Sequence, residues 1–429
     1  MNKASNIDDT YRNCDPEQPL TADDERYVDL AESRGTPQIA RSITRNISRS
    51  NNDTYLQLLF TGHRGSGKTT ELFRLKRELE NHKFFTIYLD IEETIDLGSL
   101  SYLDVLIAIA KQVQISLHEA DMPISEVLLD SIATWFAERI IVDDTQTAHE
   151  AKISTKAEAG IKIPFFKLFA DLTANIKAAS SRRETIRINL KREISVFIQK
   201  LNTLIGEARQ TVQNNNYKDL VIIVDGLEKM HYELNEEGQS SHSELFVRHA
   251  EQLRSPACHI IYTVPVSLAY NQNLGADFDD IKVLPMVKTN ERGIQQLVNV
   301  VEQRVDIGAV FETRELLEEL ARTSGGVVRD LMRLIRMSTD TDSEKISQKE
   351  ISDAINTLKK QYDRLIRNDD IENFKQIVQT RRVQADESFS RLLNLRLILE
   401  YENGERWASL HPVIHEIDWV SEALSDIHH

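Results

Sequence analysis

Apolar positions recur at two different periods along this chain, and the change from one to the other divides it. Tyr55–Thr61 and Phe84–Asp90 are short runs apolar on both faces, and Leu220–Val224, His259–Val264 and Ile281–Leu284 repeat the pattern. Such runs predict strands covered by helices on both sides, as in a parallel sheet. Helical spacing fills the intervals: Leu72, Leu75 and Leu79 after the first run, then Leu100–Leu117, Ile124–Ile140, a long amphipathic stretch near Arg182–Gln213, and Ser243–Leu253. Strands alternating with helices predict an α/β fold with a parallel sheet and helices on both faces.

Beyond Thr289 the strand pattern stops. Gly293–Val305, Thr313–Arg322, Val327–Ser338 and Gln348–Ile366 all carry helical spacing. A further helix is predicted at Glu387–Leu395, followed by strands at Leu397–Tyr401 and Arg406–Leu410 joined through Glu402-Asn-Gly-Glu405. Asn-Gly between apolar runs is a strong hairpin signal. Helix followed by hairpin reads as a winged-helix-like unit.

The expected organisation is therefore an N-terminal leader with helices over 1–50, and a core over 51–290 with an insert around 142–180. A helical lid over 291–366 and a C-terminal winged-helix-like domain over 367–429 complete it. Residues 1–25 are rich in Asn, Asp, Pro and Thr and read as a loosely ordered leader. Short helical stretches follow near Asp24–Glu32 and Pro37–Ser48, the second with Ile39, Ile43 and Ile47 on one face. The middle of the insert, Ile161–Leu172, holds Pro164, Phe165, Phe166, Leu168 and Phe169, with lysines at 162 and 167. A packed hairpin or helical element is the expectation there, against an element that contacts a partner or a membrane.

Composition narrows the picture. The 429 residues are 41% hydrophobic and 28% charged, a globular balance with enough apolar mass for a large core. The longest apolar runs fall far short of the ~20 residues that cross a bilayer. Met1–Tyr11 is polar, without the apolar region of an export signal, so the expected location is the cytoplasm. Cys14 and Cys258 offer neither a disulfide framework nor a metal-ligand spacing. The net charge of −16 opposes non-specific attraction to nucleic acid, so DNA binding must be argued from a site.

The chemistry concentrates where strands end. Gly62-His63-Arg64-Gly65-Ser66-Gly67-Lys68-Thr69, followed by Thr70, has the Walker A spacing and sits between a predicted strand and a predicted helix. Its glycines let backbone amides fold around phosphate, and the following helix N-terminus adds positive potential. Lys68 is expected to reach the β- and γ-phosphates of ATP, and Thr69 to ligate Mg2+. Leu220–Asp225 is an apolar strand ending in an acid, the Walker B form, so Asp225 is expected to join Thr69 at the magnesium shell. Glu228 is the carboxylate best placed to orient the attacking water, with Glu92 and Glu93 as weaker competitors. Thr263, near the end of the next strand, is a candidate for touching that water or the γ-phosphate. Arg329, in Gly325-Gly-Val-Val-Arg329, is a candidate for reaching over the phosphates when the lid closes. The bland alternative for Arg329 is an ion pair with Asp330.

Walker A, Asp225-Gly-Leu-Glu228, the strand with Thr263 and the lid segment ending at Arg329 resemble the AAA+/STAND ATPases. The nearest forms are the archaeal origin-recognition type and the bacterial NACHT-like group, and the resemblance spans about residues 35–420. It implies a P-loop ATPase core, a helical lid and often a winged helix. Two departures stand out. Gly226 follows Asp225 where many AAA+ proteins carry a second acid, a spacing closer to STAND or KAP-type ATPases. Val264–Asn290 contains no arginine, where AAA+ rings usually place the residue that completes a neighbour's site, leaving Arg248, Arg254 and Arg292 as substitutes.

The resemblance implies a slow or partner-stimulated ATPase whose nucleotide state controls self-assembly into a homo-oligomer or a separate effector protein, in a setting such as a bacterial antiviral defence module. A DNA-dependent loader or transposition-type ATPase acting through the winged helix is the alternative. Lys375, Arg381, Arg382, Arg391 and Arg396 would serve it, but acids crowd the same region. A scaffold that holds ATP without cleaving it is the third reading.

Overall fold

Leu58, Leu59 and Phe60 alternate between the two faces of one strand, and both faces are dry. Leu59 packs with Ile222, Val224, Ile260 and Tyr262 on one side. Leu58 and Phe60 pack with Val221, Ile223 and Ile261 on the other. That double burial is what an uninterrupted apolar run requires, and it sets the architecture. In this computed structural model, residues 3–51, 54–140, 165, 167–170, 180–236, 238–271 and 274–425 are described.

The sheet contains β1 (Gln57–Gly62), β2 (Phe85–Asp90), β3 (Leu220–Asp225), β4 (His259–Val264) and β5 (Asp280–Leu284). Its order is β2-β3-β4-β1-β5, and every pairing is parallel. One face is covered by α2 (Ile39–Arg49) and α3 (Lys68–Asn81), whose Ile39, Ile43, Ile47, Leu72, Leu75 and Leu79 form the predicted stripes. The other face carries α4 (Tyr102–Glu119), α5 (Glu126–Ile140), α6 (Ser180–Arg192) and α7 (Ile194–Asn214). The single long helix expected over Arg182–Gln213 is two, because the backbone leaves helical geometry at Glu193 (φ −119°, ψ 33°). The helix expected over Ser243–Leu253 is broken as well, by a wider π turn at Glu244–Arg248.

Phe165, Leu168 and Phe169 are buried in this same core, with the Phe169 ring 4.9 Å from that of Phe136. These three side chains pack inward, as a packed insert requires. The expectation for 142–164, 166 and 171–179 lies outside the described residues.

After the sheet come α8 (Glu291–Glu302), α9 (Arg314–Thr323), α10 (Val328–Ser338) and α11 (Gln348–Asp363). Then follow α12 (Asp370–Thr380), α13 (Glu387–Asn394), the antiparallel pair β6 (Ile398–Glu402) and β7 (Arg406–Leu410), and α14 (Asp418–Ser425). Helix α13 and the hairpin form the winged-helix-like unit. Its Phe389, Leu397 and Val413 share one apolar core with Leu317, Leu320 and Leu331 of the preceding helices.

The leader is not loose. α1 (Ile7–Asn13) is capped by the Asn6 side chain on the Asp9 amide at 2.9 Å. Ala4 pairs with Val305, and Cys14 is wholly buried among the lid helices. The polar composition that suggests a loose leader is correct on average. A few apolar contacts and backbone bonds to residues some 300 positions away decide the outcome. Among the described residues, no helix is long and apolar enough to cross a membrane.

Candidate active site

The parallel sheet brings the carboxyl ends of its strands to one edge, and the candidate residues gather there. β1 ends at Gly62, and the loop enters α3 through Gly65 and Gly67, both with positive φ (82° and 96°). A Cβ on Gly65 would lie 2.6 Å from the Cβ of Arg329, so glycine is what lets the loop pass beneath α10. Lys68 folds back over the loop. Its Nζ donates to the carbonyls of Gly62 at 2.9 Å and His63 at 3.2 Å, and stands 3.2 Å from Glu228 Oε1.

Asp225 ends β3 opposite Asp90 of β2. Its Oδ2 accepts from the Thr69 hydroxyl at 2.9 Å and from the Tyr88 hydroxyl at 2.7 Å, and its Oδ1 from the Gly226 amide at 2.8 Å. Burial, then the nearby charge of Glu228, pushes the Asp225 pKa above the usual carboxylate value, while the two hydroxyls pull against the rise. A hydroxyl beside a carboxylate oxygen is a donor pair suited to a small hard cation. Among the described residues, no cluster of three or more His, Cys, Asp or Glu would hold a metal alone. A cation here would draw its other ligands from water and phosphate.

Gly226 (φ 91°) turns the chain so that Glu228, displaced by two positions from the usual second acid, swings back under Lys68. Thr263 fixes that turn: its hydroxyl accepts from the Leu227 amide at 3.1 Å and lies 3.4 Å from the Val224 carbonyl. The Glu228 side chain is only 6% exposed. Burial alone would raise its pKa, but the Lys68 ammonium and Thr263 bring it below the ordinary value, so the carboxylate is ionised. Its Oε2 is buried without a hydrogen-bond partner among the described residues. Of the competitors, Glu92 is tied to Lys229 at the rim, and Glu93 points to solvent.

Arg329 lines the same cavity of about 410 Å³ as Gly65–Thr70. Its amide donates to the Gly65 carbonyl at 3.1 Å, and its guanidinium pairs with Glu17 of the leader at 3.0 Å. Asp330 turns the other way, to Arg396, His411 and Tyr362, so the bland pairing of Arg329 with Asp330 is absent. The loop is held from further sides. Arg34 Nη2 donates to the Ser66 carbonyl at 2.6 Å, and the Leu20 amide to the Thr70 hydroxyl at 3.2 Å. His63 is 1% exposed, with both ring nitrogens engaged by the C-terminal unit. Nε2 accepts from the Glu400 amide at 2.9 Å, so Nδ1 carries the proton and faces the Leu393 carbonyl at 3.2 Å.

Tyr88, Arg34, Glu17 and Leu20 were not identifiable from local spacing. Each reaches the loop from a distant segment, and no motif marks it.

The strand order, the phosphate loop after β1 and the acid ending β3 define the P-loop nucleotide-binding fold, here followed by a helical unit and a winged-helix-like unit. No protein-family model and no curated protein matches the chain. Among solved structures, it is similar to a Walker-type ATPase of Pyrococcus abyssi at 14% identity and a TM-score of 0.45, over 96% of this chain and 99% of that one. It is also similar to the ORC2 protein of Aeropyrum pernix, solved as ADPNP–ADP complexes, at 14% identity and a TM-score of 0.40, over 96% of this chain and 98% of that one. Both likenesses are remote.

Proposed function

We propose that this protein binds and hydrolyses ATP as a regulatory switch, its nucleotide state controlling self-assembly or a partner effector. The observation that carries this reading is the joint between the phosphate loop and the C-terminal half. The Gly65 carbonyl is bonded to the Arg329 amide, and His63 to Leu393 and Glu400. A loop that must adjust to phosphate is thereby bonded to the lid and to the winged-helix-like unit, so a change at one is felt at the other.

Within the site, Lys68 and the loop amides would hold the β- and γ-phosphates, and Glu228 would orient the attacking water. Thr69 and Asp225 would hold magnesium, which neutralises charge on the phosphates when bound. The regulatory reading is favoured over a DNA loader by the commitments of the basic side chains. Arg391 is paired with Asp370 at 2.9 Å, Arg396 with Asp330 at 3.3 Å and Lys375 with Glu372 at 3.3 Å. The setting, an effector module such as bacterial antiviral defence, rests on the family resemblance alone.

The test is the solution mass of wild type, Lys68→Ala and Glu228→Gln, with and without ATP and magnesium and with and without duplex DNA. Assembly of wild type and Glu228→Gln on ATP alone, absent in Lys68→Ala, is expected. Assembly only when DNA is added would replace the switch with the loader.

A further inference from the structure

A second cavity of about 860 Å³ opens on the far side of Glu228, bounded by Ile95–Gly98, Met230–Glu233 and the end of α13. It shares four residues with the nucleotide cavity: Arg64, Glu92, Glu228 and Lys229. The seam between the two is therefore where Glu228 stands, and on the hydrolysis reading it is where the γ-phosphate meets the attacking water.

Two of the four seam residues are cations. Lys229 is committed to Glu92. Arg64 is exposed and has no ion-pair partner among the described residues. The other candidate arginines, Arg329, Arg248, Arg292 and Arg254, are engaged or placed elsewhere. Arg329 is held by Glu17, Arg248 by Glu244 and Arg292 by Glu32. Arg254 lies just before β4, at the opposite end of the sheet from the loop.

Hydrolysis forms a bond from the water oxygen to the γ-phosphorus and breaks the bond from that phosphorus to the bridging oxygen. The electron pair leaves on ADP, and a water proton passes to Glu228. Negative charge shifts toward the bridging oxygen and spreads over the γ-oxygens, where a guanidinium is most effective. We propose that Arg64, from within the phosphate loop, contacts the γ-phosphoryl group of the nucleotide held by its own chain and stabilises that charge. The inference rests on the hydrolysis reading and adds the cationic group for which the segment 264–290 offers no arginine.

The experiment measures ATP affinity and steady-state turnover of the full chain for wild type, Arg64→Ala and Arg64→Lys, with free guanidinium added to the alanine variant. Expected is a turnover at least about 100-fold lower in Arg64→Ala, the scale of losing one preorganised transition-state donor, with ATP affinity nearly unchanged. Arg64→Lys should recover part of the loss, and guanidinium should restore turnover to Arg64→Ala. Unchanged turnover, or a loss of ATP binding equal to the loss of turnover, would overturn the assignment. Restoration on mixing Arg64→Ala with Lys68→Ala would overturn it too, because Arg64 would then act on a neighbour's nucleotide. A wild type that binds ATP without cleaving it sinks the hydrolysis reading itself, and is recognised before any Arg64 variant is assayed.

Discussion

The ring of His63, inside the phosphate loop, accepts the backbone amide of Glu400, 337 residues later in β6, at 2.9 Å. An amide can only donate, so the ring is neutral and its other nitrogen presents a proton to the Leu393 carbonyl. One loop side chain thus closes both hydrogen bonds that join the winged-helix-like unit to the phosphate loop through a ring.

That neutrality has a pH signature. Burial holds the His63 pKa down to about 3 from 6.5; the charges of Lys68 and Arg396 push the same way, and the Leu393 carbonyl opposes them. The folded value lies below the unfolded one, so the unfolded chain binds more protons between them. The stability His63 contributes is full above about pH 6.5 and falls as the pH drops toward 3, by at most about 1.4 kcal/mol per pH unit. His63→Ala should lower stability by about 1–3 kcal/mol at pH 7, and urea midpoints should show the gap to wild type shrinking at pH 5. A gap that stays constant would mean the ring is not held neutral.

Glu228→Gln keeps the shape of the side chain and removes its charge. ATP affinity should persist while turnover drops by about 10²–10⁴-fold, the usual share of a general base. Equal turnover in a variant that binds ATP normally would remove Glu228 from the chemistry.

Tyr88 donates to the same Asp225 oxygen as Thr69, and burial, with the Asp225 charge, raises its own pKa so that the phenol keeps its proton. Tyr88→Phe should weaken the magnesium dependence of nucleotide binding by about 10-fold or more, as loss of a group that orients a metal ligand does. Nucleotide binding without magnesium should be unaffected. Titration of magnesium at fixed nucleotide checks this.

Arg381 and Arg382 remain as the basic pair nearest the hairpin, with Arg381 lying 5.7 Å over the Trp407 ring. With the neighbouring cations paired, duplex DNA should bind weakly. Neutralising both arginines should change neither affinity nor its salt dependence measurably. A steep salt dependence lost in that double variant would favour the DNA reading.

The sheet and its loop were legible because their signals are local. Leu58–Phe60 and Leu220–Val224 announce buried strands by apolarity alone, and Lys68, Thr69 and Asp225 follow from spacing. Thr263 and Arg329 were legible as positions at element ends, but not in their partners. The Thr263 hydroxyl bonds the Leu227 amide, and the Arg329 guanidinium is taken by Glu17 from a leader that composition describes as loose. The His63 bridge left no trace in the sequence, because neither Leu393 nor Glu400 contributes a side chain to it. Backbone partners carry no residue code.

The most direct measurement is backbone hydrogen exchange across Leu393–Leu410 in wild type and Lys68→Ala, each with and without ATP and magnesium. A nucleotide switch predicts a change in protection at Leu399–Tyr401 when wild type binds ATP, and none in Lys68→Ala. If wild type binds ATP and the exchange of this segment does not move, the phosphate loop and the C-terminal unit are not coupled, and the switch reading is wrong.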